Sequence, residues 1–177
     1  MANELTCPLT GAEERLWQEK LAALLVRQIA LYTANESSSV PTAAAQELLR
    51  GNTVTERFGL TLTPEQCGRL LARRAEALRE TERIELGEGI LPKLAVALCD
   101  SPCVGPENWE EALGGLTELF YHFKGACGER LGDDEMLAAL ARLYNGWAGG
   151  CADRIADLDG RAMLRFARTG RVGDDDE

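Results

Sequence analysis

Between residues 61 and 101, apolar and charged positions alternate with a helical period and then give way to an almost wholly apolar run. Thr63 can cap the first free N–H groups, Pro64 suits the first helical position, and Gln66 completes a capping box. The apolar positions then repeat at steps of three and four residues: Cys67, Leu70, Leu71, Ala75 and Leu78. This pattern predicts a long helix that begins after Thr63.

A glycine-rich joint follows the long helix. Gly87 and Gly89 flank Glu88 and permit backbone angles that other residues avoid. We therefore expect the helix to loosen over residues 84–87. A second, buried helix is predicted over residues 90–99, a run too short to span a bilayer.

The opposite side of the long helix is rich in arginine, with acids between: Arg69, Arg73, Arg74, Arg79 and Arg83. Arginine clusters can bind anions or nucleic acid, whereas closely mixed charge is typical of a solvated face, and we interpret this side as solvated. Glu85 and Glu88 could form an acid pair beside the joint, although acid/base chemistry requires a special environment. Together with Arg73 they are the candidate ligand-binding residues.

Further helical patterns lie on both sides of this segment, over residues 12–33, 43–49, 106–130, 133–147 and 151–167. Gly114 and Gly115 interrupt the middle of one of them and indicate a kink or a close helix crossing. Because β-branched and aromatic residues are sparse, we predict an all-α irregular bundle of about six to seven helices. The predicted core contains Cys67, Leu70, Leu71, Leu78, Leu94, Leu98, Trp109, Leu113, Leu116, Phe120 and Phe123.

The predicted N-terminal helix, residues 12–33, is apolar over more than one stripe: Leu16, Trp17, Leu21, Leu24, Leu25, Ile29 and Leu31. A monomer rarely leaves such a surface in water, so either the residues from Thr55 onward or a second copy of the chain should cover it. We favour a homodimer. The interface candidates are Trp17, Leu21, Leu24 and Leu25, with Trp17 as the anchor.

Charge and composition narrow the possible partners and the compartment. The formal net charge of −10 disfavours binding to nucleic acid or to anionic membranes. No apolar run is long enough to span a membrane, and the start, MANEL, lacks the basic region of a signal peptide. We therefore expect a cytoplasmic protein without a membrane partner, whose six cysteines are reduced thiols.

The remaining candidate chemistry is weak. Cys99, Cys103, His122 and Cys127 lack the tight ligand spacing of structural zinc, and His122 falls opposite the apolar face that holds Cys127. A single histidine offers one possible base, and nothing in the sequence supports a catalytic unit around it. The acids Asp153, Asp157 and Asp159 do not fit a calcium loop. We predict no catalytic residue, metal ligand or cofactor.

Two stretches resemble known but uncharacterised families. RRAEALRETERIELGEGILPKLAVALCDSP, NWEEALGGLTELFYHFK and DDEMLAAL, within residues 55–168, resemble a domain of unknown function from anaerobic Gram-positive bacteria. Residues 24–50 are similar to the opening of a second uncharacterised family. The resemblance implies a bacterial helical protein with a seam at residues 50–55. We predict an N-terminal helical segment (1–54), a helical core domain (55–170) and a disordered acidic tail (171–177).

Three hypotheses for function follow. The favoured one is a non-enzymatic helical protein-interaction module, because the helices are broadly apolar and no catalytic constellation is visible. The alternative is a small ligand-binding domain or enzyme that uses a cleft near the Gly87–Gly89 joint. A DNA-binding regulator that uses the arginine side is the least favoured, given the acidic net charge.

Overall fold

The structure, a computed structural model, describes residues 42–85 and 89–172, and within them there is no β-strand. The helices are α1 (Ala43–Arg50), α2 (Asn52–Thr55), a 3-10 turn (Glu56–Phe58), α3 (Pro64–Glu80), α4 (Leu91–Leu98), α5 (Trp109–Ala126), α6 (Asp133–Asn145), α7 (Ala152–Ala156) and α8 (Gly160–Thr169). Six of these helices have eight residues or more. The predicted all-α class, with about six to seven helices, is confirmed. The predictions for residues 12–33 and for the acidic tail lie outside the described residues, apart from 171–172 of the tail.

The predicted start of α3 is confirmed in detail. The Thr63 hydroxyl accepts a hydrogen bond from the Gln66 N–H at 3.3 Å, and the Thr63 N–H donates to the Gln66 side chain at 2.8 Å. The helix ends at Glu80, earlier than the expected loosening at residues 84–87. Its chain direction changes because Glu82 takes a positive φ of 53° and the Arg83 N–H turns back to the Leu78 carbonyl at 2.8 Å.

Helix α5 forms the centre of the described fold. It packs against α3, α4, α6, α7 and α8, and it has the longest run of buried positions. Gly114 and Gly115 are both buried. A Cβ atom at Gly115 would lie 3.2 Å from the Ala152 Cβ of α7, tighter than ordinary contact. The predicted close helix crossing is therefore present, and glycine is the residue that permits it.

The predicted core is present with one correction. Ten of its eleven members are buried, whereas Leu71 is only partly buried. The buried face of α3 runs through Leu70, Arg74 and Ala77 instead of through Leu71 and Ala75. The interpretation of all five arginines as a solvated face is thus wrong for Arg74, which is 3% exposed.

Side-chain hydrogen bonds accompany two other boundaries. Helix α5 begins at Trp109 and not at Pro106. Before it, the Asn108 side chain holds the non-helical connection, since it accepts from the Gly105 N–H at 2.7 Å and donates to the Cys103 carbonyl at 3.0 Å. The last helical region divides before α8, where Asp159 accepts from the Ala162 N–H at 2.7 Å and caps the helix.

The rotation of α3 predicts a difference between two adjacent leucines. Leu70 has no exposed surface, so Leu70→Ala should lower the free energy of unfolding by about 2–5 kcal/mol through lost burial and a cavity. Leu71→Ala removes the same atoms from a partly exposed position and should cost clearly less. Urea denaturation of both variants measures the difference, and equal losses would contradict this orientation of α3.

Candidate functional site

Three polar side chains, from α3, from α5 and from the chain that follows α3, contact one another. The Arg74 guanidinium donates to the Glu85 carboxylate from Nη2 at 2.8 Å and from Nε at 3.1 Å. Arg74 Nε also lies 3.2 Å from the Tyr121 hydroxyl, which itself donates to Glu85. Arg74 and Tyr121 are buried, and the Glu85 side chain is 23% exposed. We call Arg74, Glu85 and Tyr121 the buried cluster.

Burial and hydrogen bonding shift the pKa values of two members of the buried cluster. Burial, reinforced by the hydrogen bond to Glu85, raises the pKa of Tyr121, so the phenol keeps its proton. Burial alone would lower the pKa of Arg74, but the hydrogen bonds with Tyr121 and Glu85 outweigh it and the net shift is upward. Tyr121 and Arg74 therefore both keep their protons, and both donate these protons to hydrogen bonds within the cluster.

The backbone of Gly89 lies directly against the buried cluster. Its φ is +66°, a conformation that favours glycine. A side chain there would also overlap Arg74 and Glu85. The glycine predicted as a flexible joint therefore lets the backbone lie against the ion pair.

A second group of arginines binds acids across the surface between α3 and α5. Arg69 forms a bidentate ion pair with Glu110, in which Nε donates to Oε1 at 2.6 Å and Nη2 donates to Oε2 at 2.7 Å. Arg73 contacts Glu111 at 3.0 and 3.3 Å and Glu118 at 2.7 Å. An open cleft of about 580 Å³ lies beside these pairs. The guanidinium groups that line it are already engaged by carboxylates.

The structure describes two of the three predicted ligand-binding residues, Arg73 and Glu85. Glu85 lies in the buried cluster, and Arg73 lies in the α3–α5 ion pairs. The two residues face different partners and do not converge on one cleft. Glu88 and the interface candidates Trp17, Leu21, Leu24 and Leu25 lie outside the described residues. The whole candidate set stays a prediction.

Three buried polar residues were missed by the sequence analysis. Arg74 follows Leu70 by four residues, so its spacing could have placed it on the buried stripe. Tyr121 meets Glu85 across 36 residues of sequence, a pairing that no local pattern reveals. Lys124 is 6% exposed and donates to the Leu131 carbonyl at 2.8 Å, with Asp133 at 2.9 Å. It joins the end of α5 to the start of α6.

A second, largely apolar groove lies between α4 and α6. Its volume is about 520 Å³, and it is lined by Pro92, Lys93, Val96, Ala97, Asp134, Leu137 and Ala138. Val96 is 54% exposed within this groove. Lys93 and Asp134 pair at 2.9 Å at its edge. We call this feature the α4–α6 groove.

Neither a metal cluster nor a membrane-spanning helix occurs in the described ranges. Residues 42–85 and 89–172 contain no group of three or more His, Cys, Asp or Glu side chains that could hold a metal ion. His122 is exposed, and Cys127 is buried, as their opposite helix faces predict. None of the described helices has the length and hydropathy needed to cross a membrane.

Comparison with known proteins places the chain in a family. A family model described as a family of unknown function (DUF6323) matches residues 47–176. The chain belongs to this family. The predicted relation to a family of unknown function is confirmed, whereas bacterial origin and the second family over residues 24–50 stay predictions. The buried cluster and the α4–α6 groove both lie within the matched range.

No curated protein and no solved structure matches the chain at a significant level.

Removal of one partner tests the buried cluster. Glu85→Gln leaves the Arg74 cation buried without its carboxylate and should cost about 3–5 kcal/mol of unfolding free energy. Arg74→Met should cost less, because the partly exposed Glu85 can regain water and methionine can fill the apolar space. Urea denaturation gives both values.

Two further variants serve as controls for this comparison. Arg69→Met removes a side chain that is 60% exposed from the same helix and should cost less than about 1 kcal/mol. The double variant Arg74→Met/Glu85→Gln should be more stable than Glu85→Gln alone. If it is less stable, the unpaired Arg74 cation is not the source of the cost.

The Arg69–Glu110 pair predicts a pH dependence. The hydrogen bonds from Arg69 hold the pKa of Glu110 below its usual value, so the unfolded chain binds this proton more tightly. The stabilisation is complete above the unfolded pKa of about 4.3 and is lost as the pH falls through the folded pKa of Glu110. Between about pH 6 and about pH 3, unfolding free energy should fall less steeply in Glu110→Gln than in the wild type.

Arg69→Met should flatten the same curve, because Arg69 is the main cause of the shift. Unchanged slopes in both variants would contradict the assignment.

Proposed function

We propose that the chain is a non-enzymatic helical protein-interaction module that associates with a second copy of itself. The observation that carries the proposal is the α4–α6 groove. Val96 is exposed there, and four other apolar residues line the same groove: Pro92, Ala97, Leu137 and Ala138. Contact with apolar side chains from a partner would remove this surface from water.

The occupant we propose is the N-terminal segment of the second copy, residues 12–33. Its sequence predicts a helix with a broad apolar surface that includes Trp17, Leu21 and Leu24. An apolar helix that enters a hydrophobic groove is a common mode of peptide recognition, with anchors three or four residues apart. The groove and the segment have the same chemistry, and one chain supplies both.

The position of α1 at the start of the described residues favours a dimer in which each copy places its N-terminal segment in the groove of the other. The predicted loop 35–41 precedes α1, and α1 packs against α4, one wall of the groove. Seven extended residues reach up to about 25 Å. The predicted loop would therefore end next to α1, which contacts a helix of the groove, and its length would allow the preceding segment to reach a neighbouring copy.

The polar side chains support this function over the other two hypotheses. Glu85 is paired within the buried cluster, which favours a structural role over ligand binding at the joint. Arg69 and Arg73 are bound by carboxylates, so phosphate binding would have to break these pairs. We also propose a cytoplasmic location in a bacterium, which accords with the five described cysteines being free thiols.

The first test compares the oligomeric state of full-length variants by light scattering at high micromolar concentration. The wild type should be a dimer, and Val96→Glu should raise the dimer Kd by at least about tenfold, because a carboxylate would be buried against apolar side chains. Ile84→Glu is the matched control. Ile84 is 84% exposed and lies outside the groove, so this variant should dimerise normally.

A mixing experiment tests the reciprocal occupant. Val96→Glu damages the groove and Leu24→Glu damages the segment, so each variant alone should be monomeric. A mixture retains one intact segment and one intact groove and should form heterodimers. A wild type that is monomeric and folded by circular dichroism would refute self-association. A dimer that tolerates Val96→Glu would refute the groove.

A further inference from the structure

Two cysteines lie in the chain segments that follow the groove helices. Cys103 lies five residues beyond the end of α4, in the connection to α5, and Cys151 lies six residues beyond the end of α6. Cys151 is exposed and Cys103 is partly exposed. Both are therefore more accessible than the other described thiols.

The backbone brings the two segments into contact at Gly150. A Cβ atom built on Gly150 would lie 2.9 Å from the Cys103 Cβ and 3.6 Å from its Sγ. Cys151 is the next residue, so its Cα lies at most about 8 Å from the Cys103 Cβ. To form a disulfide, Cys151 must move closer to Cys103. Gly149 and Gly150 can change their backbone angles to allow this, because both have positive φ and neither carries a side chain.

Hydrogen bonds fix the Cys103 side of this contact. The Cys103 N–H donates to the Ser101 hydroxyl at 3.1 Å, and the Asn108 side chain donates to the Cys103 carbonyl at 3.0 Å. Ser101 also donates to the side chain of Asn145, at the end of α6. The segment that carries Cys151 is also attached to the end of α6, because the Gly150 N–H donates to the Tyr144 carbonyl at 2.8 Å and the Cys151 N–H donates to the Ala148 carbonyl at 3.3 Å. Both cysteines are thus held beside the same end of α6.

The other described cysteines do not share these features. Cys67, Cys99 and Cys127 are buried. Burial raises the pKa of Cys67 to about 11 and also raises that of Cys127, so little thiolate forms at either site.

We propose that Cys103 and Cys151 form an oxidative modification site, at which a low-molecular-weight disulfide converts the two thiols into an intramolecular disulfide. With oxidised glutathione, the Cys151 thiolate attacks one glutathione sulfur and expels a glutathione thiolate. The Cys103 thiolate then attacks the Cys151 sulfur, closes the protein disulfide and expels the second glutathione. The two protein thiols are oxidised, one glutathione disulfide is reduced, and the two protons end on the glutathione thiols.

The disulfide would join the segment after α4 to the segment after α6. It would close a loop that contains all of α5 and α6 and would restrict the separation of α4 from α6. The site rests on the thiols and the Gly150 contact alone. It does not depend on the proposed self-association.

The test treats the full-length native chain with oxidised glutathione, blocks free thiols by alkylation and maps the digested peptides by mass spectrometry. We expect a linked peptide pair that contains Cys103 and Cys151 and that has lost the mass of two hydrogens. Reduction should separate the pair. A wild type that carries glutathione on Cys151 but forms no such link would overturn the proposal, as would a link from Cys151 to Cys7.

Single substitutions test the order of the two steps. Cys103→Ser should accumulate glutathione on Cys151, because the second thiolate is missing, whereas Cys151→Ser should form no protein disulfide. Cys99→Ala changes a buried thiol at the start of the same connection, and Cys7→Ser changes a thiol outside the described residues. Both controls should keep the Cys103–Cys151 link, and loss of the link in either would contradict the assignment.

Discussion

The packing of α3 on α5 is the contact on which the rest of the described fold depends, and a buried cation fixes its register. Arg74 is 3% exposed at the centre of this contact, and a buried guanidinium is tolerated only with a partner. Glu85, from the chain after α3, and Tyr121, from α5, both hydrogen-bond to its guanidinium. A rotation of α3 by one position would separate the three groups and bring the ion-paired Arg73 into the core.

The same pairing explains why the chain after α3 has its observed course. Glu85 must return to Arg74 within eleven residues, so α3 ends at Glu80 and Glu82 reverses the chain. Gly89 then lies directly against the ion pair, where no side chain would fit. The charge pair thus determines where α3 ends and where α4 begins, and α4 in turn forms one wall of the groove.

Local patterns in the sequence predict the helices well, because caps and periodicity act over a few residues. The capping box at Thr63, the buried helix predicted over residues 90–99 and the glycine crossing in α5 are all of this kind. The Arg74–Tyr121 contact spans 47 residues, and the Arg73–Glu118 contact spans 45. Such pairs depend on how the helices are placed, so a charged residue on α3 could not be assigned to the core or the surface by its type alone.

Charged and apolar side chains are unequally distributed between the α3–α5 surface and the α4–α6 groove. On the α3–α5 side, arginines and glutamates satisfy one another, so binding a charged partner there would first have to break existing pairs. In the α4–α6 groove, Val96 and Ala138 are exposed beside the largely exposed Lys93–Asp134 pair. Covering these apolar side chains would gain free energy without breaking the arginine–glutamate pairs of the α3–α5 surface. The groove is therefore the surface that favours the proposed self-association, and the proposed disulfide beyond α4 and α6 would restrict the separation of the two helices that line it.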